Sequence, residues 1–274
     1  MTVHPSLQSS IDAWTHSIEA IVELVKPLVE SEWSVATDLP GWSVRDVVSH
    51  IIGVECEMLG DPRPIHTLPR DLYHVRSEFA RRMEVQVDVR RHHTALEMVS
   101  ELEYTVIRRS RQLRNETRKP DAEMRSPLGE DRTLEFVLQQ RAFDVWVHEQ
   151  DLRRVLGKPG NLDSPGAYLT RDLLVKALPV VVAKRAQAPA DSAVVFDVSG
   201  PLEFLRTVRV NAEGRATVDG SVSLGPTVTL VLDWDTFVQL ACGRVRPAAV
   251  AERVKVDGDH ELAAAILDQL AVTP

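Results

Sequence analysis

Asp144 and His148 stand four residues apart in the stretch Thr133 to Gly157, TLEFVLQQRAFDVWVHEQDLRRVLG, whose pattern is strongly helical. On a helix that spacing stacks the two side chains on one face. A carboxylate and an imidazole one turn apart can share a divalent cation if a third ligand arrives from elsewhere in the fold. The best donor is His50, within GWSVRDVVSHIIGVECEM, residues 41 to 58. Three protein ligands leave coordination positions open, which suits a catalytic site better than a closed structural one. Spacing alone favours a helix-surface salt bridge or a core histidine with satisfied hydrogen bonds. The surroundings favour the cation: in FDVWVH both polar groups sit among apolar residues, and a buried carboxylate needs a partner. Glu149 and Asp151 compete as ligands, Asp151 because it follows His148 by three residues and can share its face.

Other candidates have plainer explanations. His92 and His93 are adjacent, so on a helix they point about 100° apart. Arg90, Arg91 and Thr94 flank them, and they are expected in solvent. Cys56, six residues after His50, faces another side of its helix and serves as a small apolar filler. Cys56 and Cys242 are the only cysteines, too few and too far apart for a disulfide framework or a CxxC metal site. No GxSxG, P-loop or GxGxxG signature occurs, so serine-nucleophile, nucleotide and dinucleotide chemistry lack support.

The elements that must position these residues follow from periodicity and breakers. Apolar residues recur at helical spacing from Pro5 to about Glu32, and ATDLPGW (36–42) breaks the pattern. Ser43 with Asp46 three residues on marks the start of a second helix, whose stripe is Val44, Val47, Val48, Ile51 and Val54 with His50 on its flank. A proline-rich loop (60–69) follows, then helices over Asp71 to Val87 and Val89 to Asn115, and a polar connection to Asp131. The stretch bearing Asp144 and His148 is the fourth long helix, ended by Gly157 and Pro159. Four long helices predict a bundle, whose interior is a common place to build a metal site. After Gly160 the texture changes: a helix from Pro165 to Ala188 bent or interrupted at Pro179, then short β-branched runs at 193–198, 207–211, 215–218 and 227–232, as in a sheet of hairpins. Helices at 233–242 and 259–270 bracket a last strand at 254–256. The expected organisation is α+β: residues 1–160 the bundle, 161–190 a connecting helix, 191–274 a small α+β domain.

With 274 residues, 44% hydrophobic and 26% charged, the composition is that of an ordinary globular protein. The net charge of −8 gives no basic footprint for nucleic acid or an anionic membrane. No apolar run approaches the roughly 20 residues that span a bilayer, and a soluble, cytoplasmic protein is expected.

Three blocks in this order, LPGWSVRDVVSHIIGVE, RAFDVWVHEQDLRRVLGKPG and the C-terminal ERVKVDGDHELAAAILDQLAVTP, resemble the mycothiol-dependent maleylpyruvate isomerase family, and the match spans nearly the whole chain. The resemblance implies a DinB-like four-helix bundle carrying a divalent metal, usually zinc, followed by a domain similar to sterol-carrier proteins. It implies His50, Asp144 and His148 as the metal ligands, mycothiol as the thiol cofactor and a small electrophilic substrate. The family pattern carries glutamate where this chain has Asp144, one methylene shorter, which bears on metal distance, coordination mode and metal choice.

The implied chemistry is addition of a thiolate, whose pKa the metal lowers, to an activated cis double bond. Rotation about the resulting single bond and elimination return the thiol and a trans alkene; a transferase leaves the thiol on the electrophile. Both begin with the same step, so the sequence does not separate them. A dianion such as maleylpyruvate needs cationic groups, and Arg81, Arg82 and Arg141 are the candidates. Arg141, three residues before Asp144, serves as well as a structural ion pair with it or as a surface charge. The alternative to an enzyme is a non-catalytic module that binds metal or thiol and senses it.

Overall fold

The structure is a computed structural model that describes residues 3–127, 129–221 and 225–273. Helix α1 (Pro5–Val25) stops short of the expected Glu32 because Pro27 lacks an N–H and its ring crowds the preceding turn. A separate short helix, α2 (Glu30–Trp33), follows. Helix α3 (Val44–Leu59) begins as predicted: the Ser43 side chain accepts from Asp46 N–H, and the Asp46 carboxylate accepts from Ser43 N–H at 2.8 Å. Gly60, with φ +83°, ends it in the left-handed conformation.

Helix α4 (Glu78–Asp88) is capped by Ser77. Helix α5 (Ala95–Arg114) starts at a Thr94–Glu97 capping box rather than at Val89, which leaves His92 and His93 in the preceding turn and not on a helix. His92 is exposed; His93 is half-buried, its Nδ1 3.5 Å from Glu101 Oε2. The stretch read as a polar connection contains a small antiparallel hairpin, β1 (Glu123–Arg125) with β2 (Asp131–Thr133). Helix α6 (Leu134–Val155) follows directly, with Thr133 as its N-cap.

The chain divides into two units, Met1–Leu169 and Thr170–Pro274. In the first, α1 packs along α6 and α3 lies against α4 and α5. Ile11, Ile18 and Ile21 of α1, Val48, Ile51 and Ile52 of α3, Leu102 of α5 and Leu138, Ala142 and Val145 of α6 share one buried core. Burial of each such isoleucine, leucine or valine is worth about 1.5–3 kcal/mol, so this shared core is what holds the helices side by side.

Helix α7 (Pro165–Val180) runs through Pro179 and then widens into a π-helical turn (Val181–Arg185), where Ala186 N–H donates to Val181 O at 2.8 Å. The proline removes one helical hydrogen bond, and the wider turn restores pairing beyond it. The second unit contains β3 (Ala193–Ser199), β4 (Phe204–Val210), β5 (Ala216–Asp219), β6 (Val228–Asp233) and β7 (Lys255–Gly258), in the order β5-β4-β3-β6-β7. Hairpins alone do not give this sheet. Strand β6 pairs parallel to β3, from Val194↔Val228 to Ser199↔Asp233, whereas the other neighbours are antiparallel.

Helices α8 (Trp234–Ala241) and α9 (His260–Asp268) complete the unit. Its aromatic core joins Phe204 to Phe237 at 5.3 Å between ring centroids and Phe237 to Trp234 at 6.0 Å. The architecture is α+β: a helical bundle followed by a sheet-containing domain. No helix among the described residues is long and apolar enough to cross a membrane.

Candidate metal centre

Helices α3 and α6 bring His50, Asp144 and His148 together, with one ligand atom from each lying within 4.8 Å of the others. His50 Nε2 faces Asp144 Oδ2 at 3.5 Å, and His148 Nε2 faces Asp144 Oδ1 at 3.7 Å. These separations exceed the 2.7–3.2 Å of an ordinary N–H···O hydrogen bond, so the three groups converge on a common point rather than satisfying one another. The imidazole rings meet edge to face at 4.9 Å. Both histidines are buried, while the Asp144 side chain keeps 34% of its exposure and opens the cluster to one side.

Burial is the larger influence on His50 and pushes its pKa below the ordinary value, against the opposing pull of Asp144. A neutral imidazole, the form that binds metal, results. Lost hydration works against ionised Asp144, but the Arg141 guanidinium and the two imidazoles outweigh it and hold the carboxyl well below the usual range. Two neutral-nitrogen donors and one carboxylate oxygen form a set that suits zinc and other first-row divalent cations. The residues therefore fit such an ion.

Asp151 occupies a different place from Asp144. Its Oδ2 lies 3.0 Å from His148 Nδ1, on the far side of the ring, and Arg154 Nη1 donates to its Oδ1 at 3.0 Å. A carboxylate on Nδ1 fixes the ring so that Nε2 presents its lone pair to the cluster. Glu149 is turned away: it accepts from Arg153 Nε at 2.7 Å and from Asn161 Nδ2 at 2.6 Å, and burial raises its pKa despite both bonds.

Arg141 is a structural cation. Its Nη1 donates to Asp144 Oδ2 at 2.6 Å, and its Nη2 and Nε donate to Glu55 Oε1 at 2.7 and 3.2 Å. Glu55 in turn accepts from Arg109 Nε at 3.0 Å and Trp14 Nε1 at 2.9 Å. One residue from each of α1, α3, α5 and α6 thus meets in a buried cluster that ends on Asp144. Arg82 lies over the Phe79 ring at 5.5 Å, and Arg81 is exposed on α4.

Sequence reasoning assigned no part to Glu55, Arg109 or Trp42. A signal existed for the first two: Glu55 follows Ile51 and Ile52 on the buried stripe of α3, and Arg109 holds the register of Met98, Leu102 and Leu113 on α5. A charge in an apolar stripe calls for an opposite charge facing it.

Residues 14–153 match the family model described as the mycothiol maleylpyruvate isomerase N-terminal domain. The chain belongs to the mycothiol-dependent maleylpyruvate isomerase family. Residues 169–265 match the C-terminal domain model of that family. A crystal structure of the mycothiol-dependent maleylpyruvate isomerase aligns with a TM-score of 0.58 at 14% identity, covering 94% of this chain and 96% of that one. A structure of a mutant isomerase gives the same values. At this identity the likeness establishes a shared fold. Sterol carrier protein 2 like 2 from Aedes aegypti aligns with 37% of this chain and 96% of its own, at 14% identity and a TM-score of 0.30. No curated protein sequence matches the chain.

Proposed function

We propose that the chain is a mycothiol-dependent enzyme, either isomerising a maleylpyruvate-like cis double bond or transferring the thiol to an electrophile. In this reading a divalent cation, zinc being one of those the donor set suits, is held by His50, Asp144 and His148. The observation that carries the proposal is the convergence of those three groups from α3 and α6 in a chain of this family. When bound, the cation supplies a Lewis acid that lowers the pKa of a thiol and so populates the nucleophilic thiolate at neutral pH.

The chain's own residues supply the rest. Burial keeps His50 neutral, Asp151 orients His148, and Arg141 keeps Asp144 ionised while holding one of its oxygens. In this reading Arg141 is spent in this role rather than on a substrate carboxylate. The Glu55, Arg109, Arg141 and Asp144 cluster is formally neutral, so the positive charge at the centre is that of the cation, which suits an anionic thiol and an anionic substrate.

Neither cysteine offers a nucleophile there: burial raises the pKa of the Cys56 thiol, and Cys242 is buried in the second unit. In this reading the attacking sulfur is that of mycothiol, as membership of the family suggests. A cytoplasmic place of action follows from this reading, because low-molecular-weight thiols stay reduced there.

Elemental analysis and a mycothiol-dependence assay with maleylpyruvate test the proposal together. The purified protein should hold about one divalent metal per chain, as a preformed three-ligand site requires. His148→Ala should lose that metal, and turnover should stop without mycothiol. Full metal content in His148→Ala refutes the site; undiminished turnover without any thiol refutes the cofactor.

A further inference from the structure

Trp42 borders the histidine and carboxylate cluster without belonging to it. Its ring centroid lies 5.2 Å from that of His50 and 6.4 Å from that of His148, tilted 40° and 38° to them. It is only partly buried, so, like Asp144, it keeps more contact with solvent than the two buried imidazoles. The indole is held from behind: its Nε1 donates to Glu84 Oε2 at 3.0 Å. Glu84 is buried, and Arg91 Nη2 donates to its other oxygen at 2.5 Å. Arg91 is anchored in turn on Asp46 at 3.1 Å.

The segment leading into α4 packs against the same place. His74 Nε2 lies 3.1 Å from Glu84 Oε2, and the His74 ring fills the space beside Gly41, where a Cβ would stand 2.3 Å from Nδ1. Gly41, with φ +78°, is thus required twice, by its backbone conformation and by the ring against it. Such bracing fixes an aromatic face in one orientation beside the cluster.

From this arrangement we infer that Trp42 is a specificity-determining wall of the proposed centre, against which the thiol packs, and that Glu84 is its positioning residue. The inference rests on the metal-site reading above. The face of an indole is electron-rich and repels carboxylates, but it packs well against the carbons next to a polarisable sulfur whose charge a bound cation would take up. Trp42 therefore selects for the sulfur-bearing arm of mycothiol, and the anionic groups of the substrate lie away from it.

The test uses the full chain, loaded with cobalt, and mycothiol as the probe. Trp42→Leu keeps apolar character without the aromatic face, and Trp42→Phe keeps a ring without the Nε1 donor. Both variants should hold as much metal as the wild type. Cobalt should quench a component of tryptophan emission in the wild type, through the indole beside the centre, and that component should be missing from both variants.

Calorimetry should give a mycothiol Kd raised about tenfold in Trp42→Leu, the scale of one lost aromatic contact, and a smaller rise in Trp42→Phe. Glu84→Gln should raise the Kd while leaving metal content alone. A metal-loaded, folded Trp42→Leu protein with the wild-type Kd for mycothiol overturns this inference and leaves the metal site standing. A wild-type protein that takes up no metal overturns the site reading, and this inference with it.

Discussion

Replacing Glu55 with glutamine should unfold the bundle far more readily than any surface change, because the carboxylate ties α1, α3, α5 and α6 together. Its partners Trp14, Arg109 and Arg141 are, like Glu55 itself, no more than 4% exposed. Removing one partner of a buried ion pair costs about 3–5 kcal/mol, since the survivor is left charged and out of water. The survivors differ. Arg141 retains Asp144 Oδ2 at 2.6 Å, whereas Arg109 retains a hydrogen bond to the neutral amide oxygen of Gln112 and the unbonded charge of Glu116. Glutamine keeps the shape and one acceptor oxygen, so the expected loss is about 3–4 kcal/mol, carried chiefly by Arg109.

For a unit of this size that corresponds to a fall in Tm of about 6–16 °C. Urea unfolding followed by tryptophan emission is the assay, because Trp14, Trp33, Trp42 and Trp146 lie in the first unit and only Trp234 in the second. Adding Arg109→Met to Glu55→Gln should recover about 1–3 kcal/mol of the loss, since the stranded cation is then gone. The effect also has a pH signature. Burial raises the Glu55 pKa, but Arg141, Arg109 and the hydrogen bonds outweigh it and leave the folded-state value lowered. A lowered folded-state pKa contributes stability above the unfolded-state value and loses it as pH falls through the folded-state one. The gap between wild type and Glu55→Gln should therefore narrow in acid. A loss under about 1 kcal/mol, or a gap that stays constant into acid, would refute the claim that this cluster adds to what the apolar core contributes to the bundle.

Asp144→Ala should abolish stoichiometric metal binding, whereas Asp151→Asn should only weaken it, by about 10–100-fold in competition with a chelator, since Asp151 acts through His148. The opposite ranking would place the ligand one turn further along α6. The double variant Cys56→Ser, Cys242→Ser should keep metal and most activity, and wild-type Cys56 should react slowly with iodoacetamide at neutral pH, faster as pH rises, because burial raises its pKa; rapid labelling at neutral pH would contradict this. Gly258→Ala should destabilise the second unit by about 1–3 kcal/mol, because φ is +96° and a Cβ would lie 2.3 Å from Thr227 O; an unchanged midpoint in thermal melts followed by Trp234 emission would count against the strain.

Local spacing was enough for much of this molecule. The Ser43 and Asp46 pair announces the start of α3, Thr133 that of α6, and the short β-branched runs from residue 193 onward announce the sheet. Asp144 and His148 share a helix face by arithmetic, and the order of three sequence blocks suggested the family. Other features depend on contacts that no window along the chain contains. Glu55 meets Arg109 across 54 residues and Arg141 across 86, and Trp42 meets Glu84 across 42. Periodicity says which side of a helix is buried but not what another helix presents to it, so Arg141 was as readily a substrate cation as a structural one until α3 placed Glu55 against it. The same holds for the two acids beside His148. At spacings of three and four residues both lie on its face, and which ring nitrogen each one meets is decided by side-chain rotamers under tertiary packing. In the sheet, the alternation of β6 is equally compatible with either strand direction, and only the return of the chain to the free edge of β3 made that pair parallel.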